Sequence, residues 1–197
     1  MIQFSVNVRR LKGAFLHPPF SRERLSCALL LSYLLSAASA PSAKGVYQSS
    51  EDFLREVFSG QIPSVQTMWI TNDIGEGAQE ILGHPLGVMR EHYWEQQKRT
   101  AWILEEIGKE RPITVGVVIN EGRIEQMRVL IYRESRGDDV RQPFFLDQFK
   151  GALLRNDREL DRPIDGVSGA TLSVRALTKL ARLALFLDQH RDDHGSP

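Results

Sequence analysis

From Pro112 to Ile119 the chain alternates, with Ile113, Val115, Val117 and Ile119 on one face and Thr114 and Gly116 on the other. A period of two predicts a strand. Asn120-Glu121-Gly122 is a turn signal, and the strand after it carries Met127, Val129 and Ile131 on one face with Arg128 and Tyr132 opposite. Ile124 falls out of phase with that set, which predicts a bulge near Glu125–Gln126. Upstream, His92-Tyr93-Trp94 and Thr100 to Leu104 flank the polar stretch Glu95–Arg99 as the arms of a hairpin. These four segments make an antiparallel sheet the simplest reading.

The remaining apolar periodicity is helical. Ser49-Ser50-Glu51-Asp52 supplies an N-cap and an acidic first turn, and Phe53, Leu54, Val57 and Phe58 then share one face. A second helix is expected from about Asp73 to Leu82, stopped by Gly83 and Pro85. Pro143 opens a short helix through Lys150, as proline does at a first helical position. The clearest helix follows Thr171, where Val174, Leu177, Leu180, Ala181, Ala184 and Leu187 repeat at spacings of three and four. A sheet with flanking helices and a C-terminal amphipathic helix gives an α+β class.

Composition fits one globular domain, at 42% hydrophobic and 25% charged residues over 197 positions. The N-terminus changes this picture. A basic lead (Arg9, Arg10, Lys12, Arg22, Arg24) precedes an apolar run from Leu25 to Leu35 and the small residues Ser36 to Ala40. That order predicts a secretory signal peptide over residues 1–40, cleaved after Ala40 or Ala38, and hence a periplasmic or extracytoplasmic protein. An uncleaved anchor, leaving the protein membrane-associated, is the competing reading, although the run is shorter than the roughly 20 residues that span a bilayer. Residues 1–40 hold five Lys/Arg and one Glu of the 25 basic and 25 acidic side chains, so the mature part has a net charge near −4. An acidic surface argues against nucleic acid as a partner. The single cysteine, Cys27, lies in the signal region, so the mature part has no thiol for a disulfide, thiolate catalysis or an iron–sulfur cluster. The histidines show no metal spacing and there is no haem-attachment motif.

One segment invites chemistry. Asp165-Gly166-Val167-Ser168-Gly169-Ala170-Thr171 is a glycine-punctuated loop running straight into the last helix. Free backbone N–H groups and the positive end of the helix dipole make such a start an anion site. The small residues at 166, 169 and 170 permit close approach, and Thr171 places a hydroxyl there. On pattern alone, Ser168, Thr171 or Ser173 would serve equally well as a plain N-cap. No lysine follows the glycines, so the loop is not a nucleotide-binding P-loop.

Asp165-x-x-Ser168-Gly169-Ala170-Thr171 resembles the flavinylation motif D-x-x-S/T-G-A-T/S of the FMN-binding domain family, found in the C subunit of the sodium-pumping NADH:quinone reductase and the G subunit of the Rnf complex. The order of strand, turn and strand upstream, followed by Glu134-Ser135-Arg136-Gly137, is similar to the family's E-T-P-G-like loop, with Ser135-Arg136 replacing Thr-Pro. Between the signal peptide at 1–40 and a polar tail at 191–197, the resemblance implies an FMN-binding core at 100–190, preceded by an N-terminal helical and hairpin elaboration at 41–99. It also implies FMN joined through its phosphate to Thr171 by a separate Mg-dependent FAD:protein FMN transferase. Asp165, Gly166, Ser168, Gly169 and Ala170 would then be recognition and phosphate-cradling residues, with Glu134, Ser135 and Arg136 approaching the flavin.

Arg133 and Arg136 are candidate partners of the phosphate or the reduced flavin, or else a solvated basic turn. Trp69, Trp94 and Trp102 would stack on a flavin or pack the core. The implied role is relay of electrons between a membrane redox partner and an extracytoplasmic acceptor. An exported flavin reductase with its own acceptor and a cofactor-free binding module are the alternatives.

Overall fold

The computed structural model describes residues 45–191, all within one compact unit, Ser42–Pro197. The expected signal peptide, with Cys27, and positions 192–197 of the expected tail lie outside the described residues. The fold is α+β, as the periodicities predict. Strands β1 (Val65–Trp69), β2 (Arg90–Gln96), β3 (Arg99–Ile107), β4 (Pro112–Asn120) and β5 (Arg123–Tyr132) pair antiparallel in chain order. Helices α1 (Ser50–Val57), α2 (Asn72–Leu82), α3 (Pro143–Leu146) and α4 (Thr171–His190) flank the sheet. Among the described residues no helix is long and apolar enough to cross a membrane.

Both faces of the sheet are covered. Ser49 caps α1 by accepting the Asp52 N–H at 3.0 Å, and Phe53, Leu54 and Val57 pack on Ala101, Val118 and Leu130. The opposite face, with Ile113, Val115, Val117 and Ile119, buries α2, α3 and α4. Trp102 belongs to that core, fully buried and stacked on Tyr93 at 4.8 Å. Strand β1 was not expected from the pattern. It is an edge strand that buries only Met68 and leaves Val65 and Trp69 exposed, so it shows no inward-facing apolar alternation.

Two bulges shape β5. Val118 pairs with Gln126 and Ile119 with Ile124, so Glu125 is the extra residue, where the phase of Ile124 predicts one. Thr114 pairs with Ile131 and Val115 with Val129, which leaves Leu130 as a second extra residue that the pattern does not announce. An added residue inverts every side chain beyond it. The expected facing of the strand end is therefore reversed: Tyr132 joins Met127 and Val129 in the main core, and Ile131 turns to the α1 side with Leu130.

Helix α4 is held along its length, which at 1.5 Å per residue is about 30 Å. Leu177, Leu180, Ala181, Ala184 and Leu187 are buried, and Val174 is partly so. At its far end Asp188 accepts from the buried Thr100 hydroxyl at 2.6 Å and from Arg191 at 2.7 Å. Midway, Lys179 donates to the Leu82 carbonyl at the end of α2 and meets the buried Glu106 carboxylate at 3.3 Å; His84 meets the same carboxylate at 3.0 Å.

Close packing under α1 is directly testable. A Cβ at Gly116 would stand 2.5 Å from the ring of Phe53, a side chain with no exposed surface. Gly116→Ala is expected to destabilise the fold by about 1–3 kcal/mol through overpacking, read as a lower urea midpoint.

Candidate functional site

The glycine-punctuated loop delivers Ala170 to the N-cap position of α4, with Thr171 as the first helical residue. No side chain caps this helix, so none of the hydroxyls at 168, 171 and 173 plays that part. The first-turn N–H groups have no intrahelical acceptor and point out of the helix start. Gly169 reaches φ +77°, the left-handed region that glycine enters without strain, and the Ala170 N–H closes the turn on the Val167 carbonyl at 3.0 Å. At the head of the loop the Asp165 N–H donates to Gln148 Oε1 at 2.7 Å, tying it to the turn that follows α3.

The segment after β5 is pressed against this helix start. Gly137 sits at φ +80°, and a Cβ there would lie 3.0 Å from Ala170 Cβ and 3.1 Å from the Tyr132 hydroxyl. Small residues at both 137 and 170 therefore let the two segments touch. Tyr132 locks the contact. Its hydroxyl donates to the Arg136 carbonyl at 2.6 Å and lies 2.9 Å from Ser173 Oγ. A phenol has one proton, so with that proton on Arg136 the serine must donate to Tyr132. Burial first, and lesser contributions from the charges of Glu134 and Asp138, raise the phenol above its usual range, against the lowering effect of the Ser173 hydrogen bond.

Glu134 organises the facing wall. Its Oε1 accepts three consecutive backbone N–H groups, from Lys109 at 2.6 Å, Glu110 at 2.7 Å and Arg111 at 2.9 Å. Gly108 makes room, since a Cβ there would come within 2.9 Å of that oxygen. Burial opposes the negative charge, but the three N–H donors and the Lys109 ammonium outweigh it and hold the carboxyl below the usual glutamate range.

Between these walls lies a cavity of about 580 Å³, with Lys109 and Glu134–Arg136 on one side and Gly169–Ser173 on the other. The volume suits a small-molecule cofactor. The structure thus brings together six of the residues singled out in the sequence: Glu134, Ser135, Arg136, Gly169, Ala170 and Thr171. Asp165, Gly166 and Ser168 are exposed on the loop and do not line the cavity. The two arginines divide. Arg133 is engaged by the Pro112 carbonyl and the Thr114 hydroxyl, both at 3.2 Å, whereas the Arg136 side chain lines the cavity with no protein partner among the described residues. None of the three tryptophans lines it. Sequence reasoning missed Lys109 and Tyr132. The first comes from a loop without a motif, and the second was assigned to the wrong face.

The donor set fits a phosphate-bearing flavin. An uncapped helix start, Lys109 and Arg136 supply positive potential, and Glu134, the one carboxylate on the cavity among the described residues, is stabilised as an anion by three backbone N–H groups on one of its oxygens. These residues would hold the phosphate end of FMN, and the flavin, when bound, supplies the redox chemistry.

Tyr132→Phe leaves the Arg136 carbonyl and the buried Ser173 hydroxyl without their partner, so a loss of about 1–2 kcal/mol in urea denaturation is expected. The lowered Glu134 carboxyl contributes stability that is full above the unfolded glutamate value, about pH 4.3, and lost as pH falls through its folded value. The stability gap between wild type and Glu134→Gln should therefore narrow on acidification below about pH 4.3; a gap independent of pH would show that the charge is not used.

No curated protein matches the chain. The family model of the FMN-binding domain matches residues 108–185, from the glycine beneath Glu134 to Leu185 within α4. The match takes in both walls of the cavity and the two bulges of β5. Over residues 108–185, then, this chain is similar to FMN-binding domains.

Proposed function

We propose that this protein is an exported electron-transfer flavoprotein whose FMN is bound as a phosphodiester to Thr171. The observation that carries the assignment is the contrast among three nearby hydroxyls. Thr171 is exposed, stands at the first helical position of an uncapped helix and lines the cavity. Ser173 is 4% exposed with its proton directed to Tyr132, and Ser168 lies outside the cavity. An acceptor for a phosphoryl group must be reachable and must have a proton to give up. Thr171 meets both requirements.

A threonine hydroxyl is a weak nucleophile, and no base stands beside it in the hydrogen-bond network of the described residues. A separate Mg-dependent transferase with FAD as donor supplies what is missing. The Thr171 oxygen bonds to the FMN phosphorus, the pyrophosphate bond breaks, AMP leaves, and the hydroxyl proton passes to the transferase. The diester keeps one negative charge, which the helix N-terminus stabilises by about 0.3–1 kcal/mol where exposed. The signal-peptide features of residues 1–40 support export and periplasmic or other extracytoplasmic action. FMN exchanges one or two electrons, so a tethered flavin suits relay between a membrane redox partner and an exported acceptor.

Co-expressed with its transferase in an exporting cell, the wild type should gain the mass of one FMN less one water and fluoresce after denaturing electrophoresis. Thr171→Ser should still label, Thr171→Ala should not, and Ser173→Ala should keep the label on residue 171. A labelled Thr171→Ala protein would remove the assignment. Multiple turnover of a soluble acceptor by the loaded protein alone would favour an exported flavin reductase over a relay.

A further inference from the structure

Arg175 stands four residues after Thr171 on α4 and is exposed, as Thr171 is. Residues at i and i+4 are neighbours on a helix surface, with Cβ atoms about 5–6 Å apart. Helical side chains lean toward the N-terminus, so the stem of Arg175 is directed over the turn that carries the Thr171 hydroxyl. The other basic residues further along this side of the helix are engaged. Lys179 meets Glu106 at 3.3 Å, and Arg182 meets Glu159 at 2.9 Å. Arg175 has no hydrogen-bond or ion-pair partner among the described residues, and no acidic residue occupies the first turn of α4. An arginine beside a hydroxyl on the cavity rim, with nothing of its own to bind, matches an anion that arrives later.

We propose that Arg175 clasps the phosphodiester on Thr171 from within the helix, a role that rests on the Thr171 reading above. The order is the favourable one, with the anion N-terminal to the cation at i, i+4. Guanidinium also matches phosphate geometry, donating through two N–H groups to two non-bridging oxygens. Arg136 lines the same cavity as Thr171. The clasp would form only after loading, so Arg175 contributes to the flavinylated protein and not to the unloaded one.

The experiment uses the mature protein with and without its transferase. The label is first located by mass on wild type, Arg175→Gln and Arg175→Lys, and thermal midpoints are then measured for the unloaded and loaded forms. Unloaded wild type and Arg175→Gln should melt together. Loading should raise the wild-type midpoint by about 2 °C more than that of Arg175→Gln, with Arg175→Lys between them. That excess should shrink at about 1 M salt, where the screening length falls to about 3 Å. An equal gain in wild type and Arg175→Gln, or an equal loss in both forms of the variant, overturns the clasp while leaving the attachment intact. A wild type that carries no FMN on Thr171 overturns the attachment, and the clasp with it.

Discussion

The Tyr132 hydroxyl ties the end of β5 and the nearby loop carbonyl at Arg136 to a segment far along the chain, at Ser173 in the first turn of α4. One oxygen can do this only because the extra residue at Leu130 turns Tyr132 into the core on the side where α4 lies. With Tyr132 on the other face, the loop after β5 would have no anchor against the helix, and the cavity between them would lose a wall. The close contact of Gly137 with Ala170 depends on the same placement, and so does the place of Arg136 on the cavity. A bulge beside a functional site re-aims a side chain at the cost of one unpaired residue.

Charge at the site follows from who satisfies whom. Glu134 would otherwise repel a phosphate from the cavity it lines. Its carboxylate is instead enclosed by three backbone N–H groups of the β3–β4 turn, which fix that turn and bring Lys109 to the cavity. One acidic residue thereby positions a basic one. Arg133, next in sequence to Glu134, is engaged by the sheet, and Arg136 is left free, so neighbours in a single basic turn have opposite fates.

The helix that presents Thr171 is held in place by contacts distant from the cavity. Thr100 and Arg191 satisfy Asp188 at one end, and Lys179 and His84 satisfy Glu106 near the middle. Buried charges of this kind add little net stability, but removal of one partner is costly, so they set the position of α4 against β3 and α2. A site built on a helix fixed in this way holds its geometry better than one carried on a loop.

Much of the fold was legible because periodicity is a local property. The β4 alternation, the α4 stripe, the Ser49 cap and the Glu125 bulge each follow from residues a few positions apart. The Asp165–Thr171 segment was legible as an anion-compatible helix start, and its resemblance to a flavinylation motif named the cofactor. The sequence could not decide between cap and ligand site at Thr171, because both readings place a hydroxyl before an amphipathic helix. Tertiary structure removed the cap reading by seating Ala170 at the cap and burying Ser173 against Tyr132, and it left Thr171 exposed on a cavity. Strand β1, the second bulge and Lys109 were likewise settled only in three dimensions. Each depends on a partner strand or loop distant in sequence, and no local pattern of hydrophobic and polar residues encodes that partner.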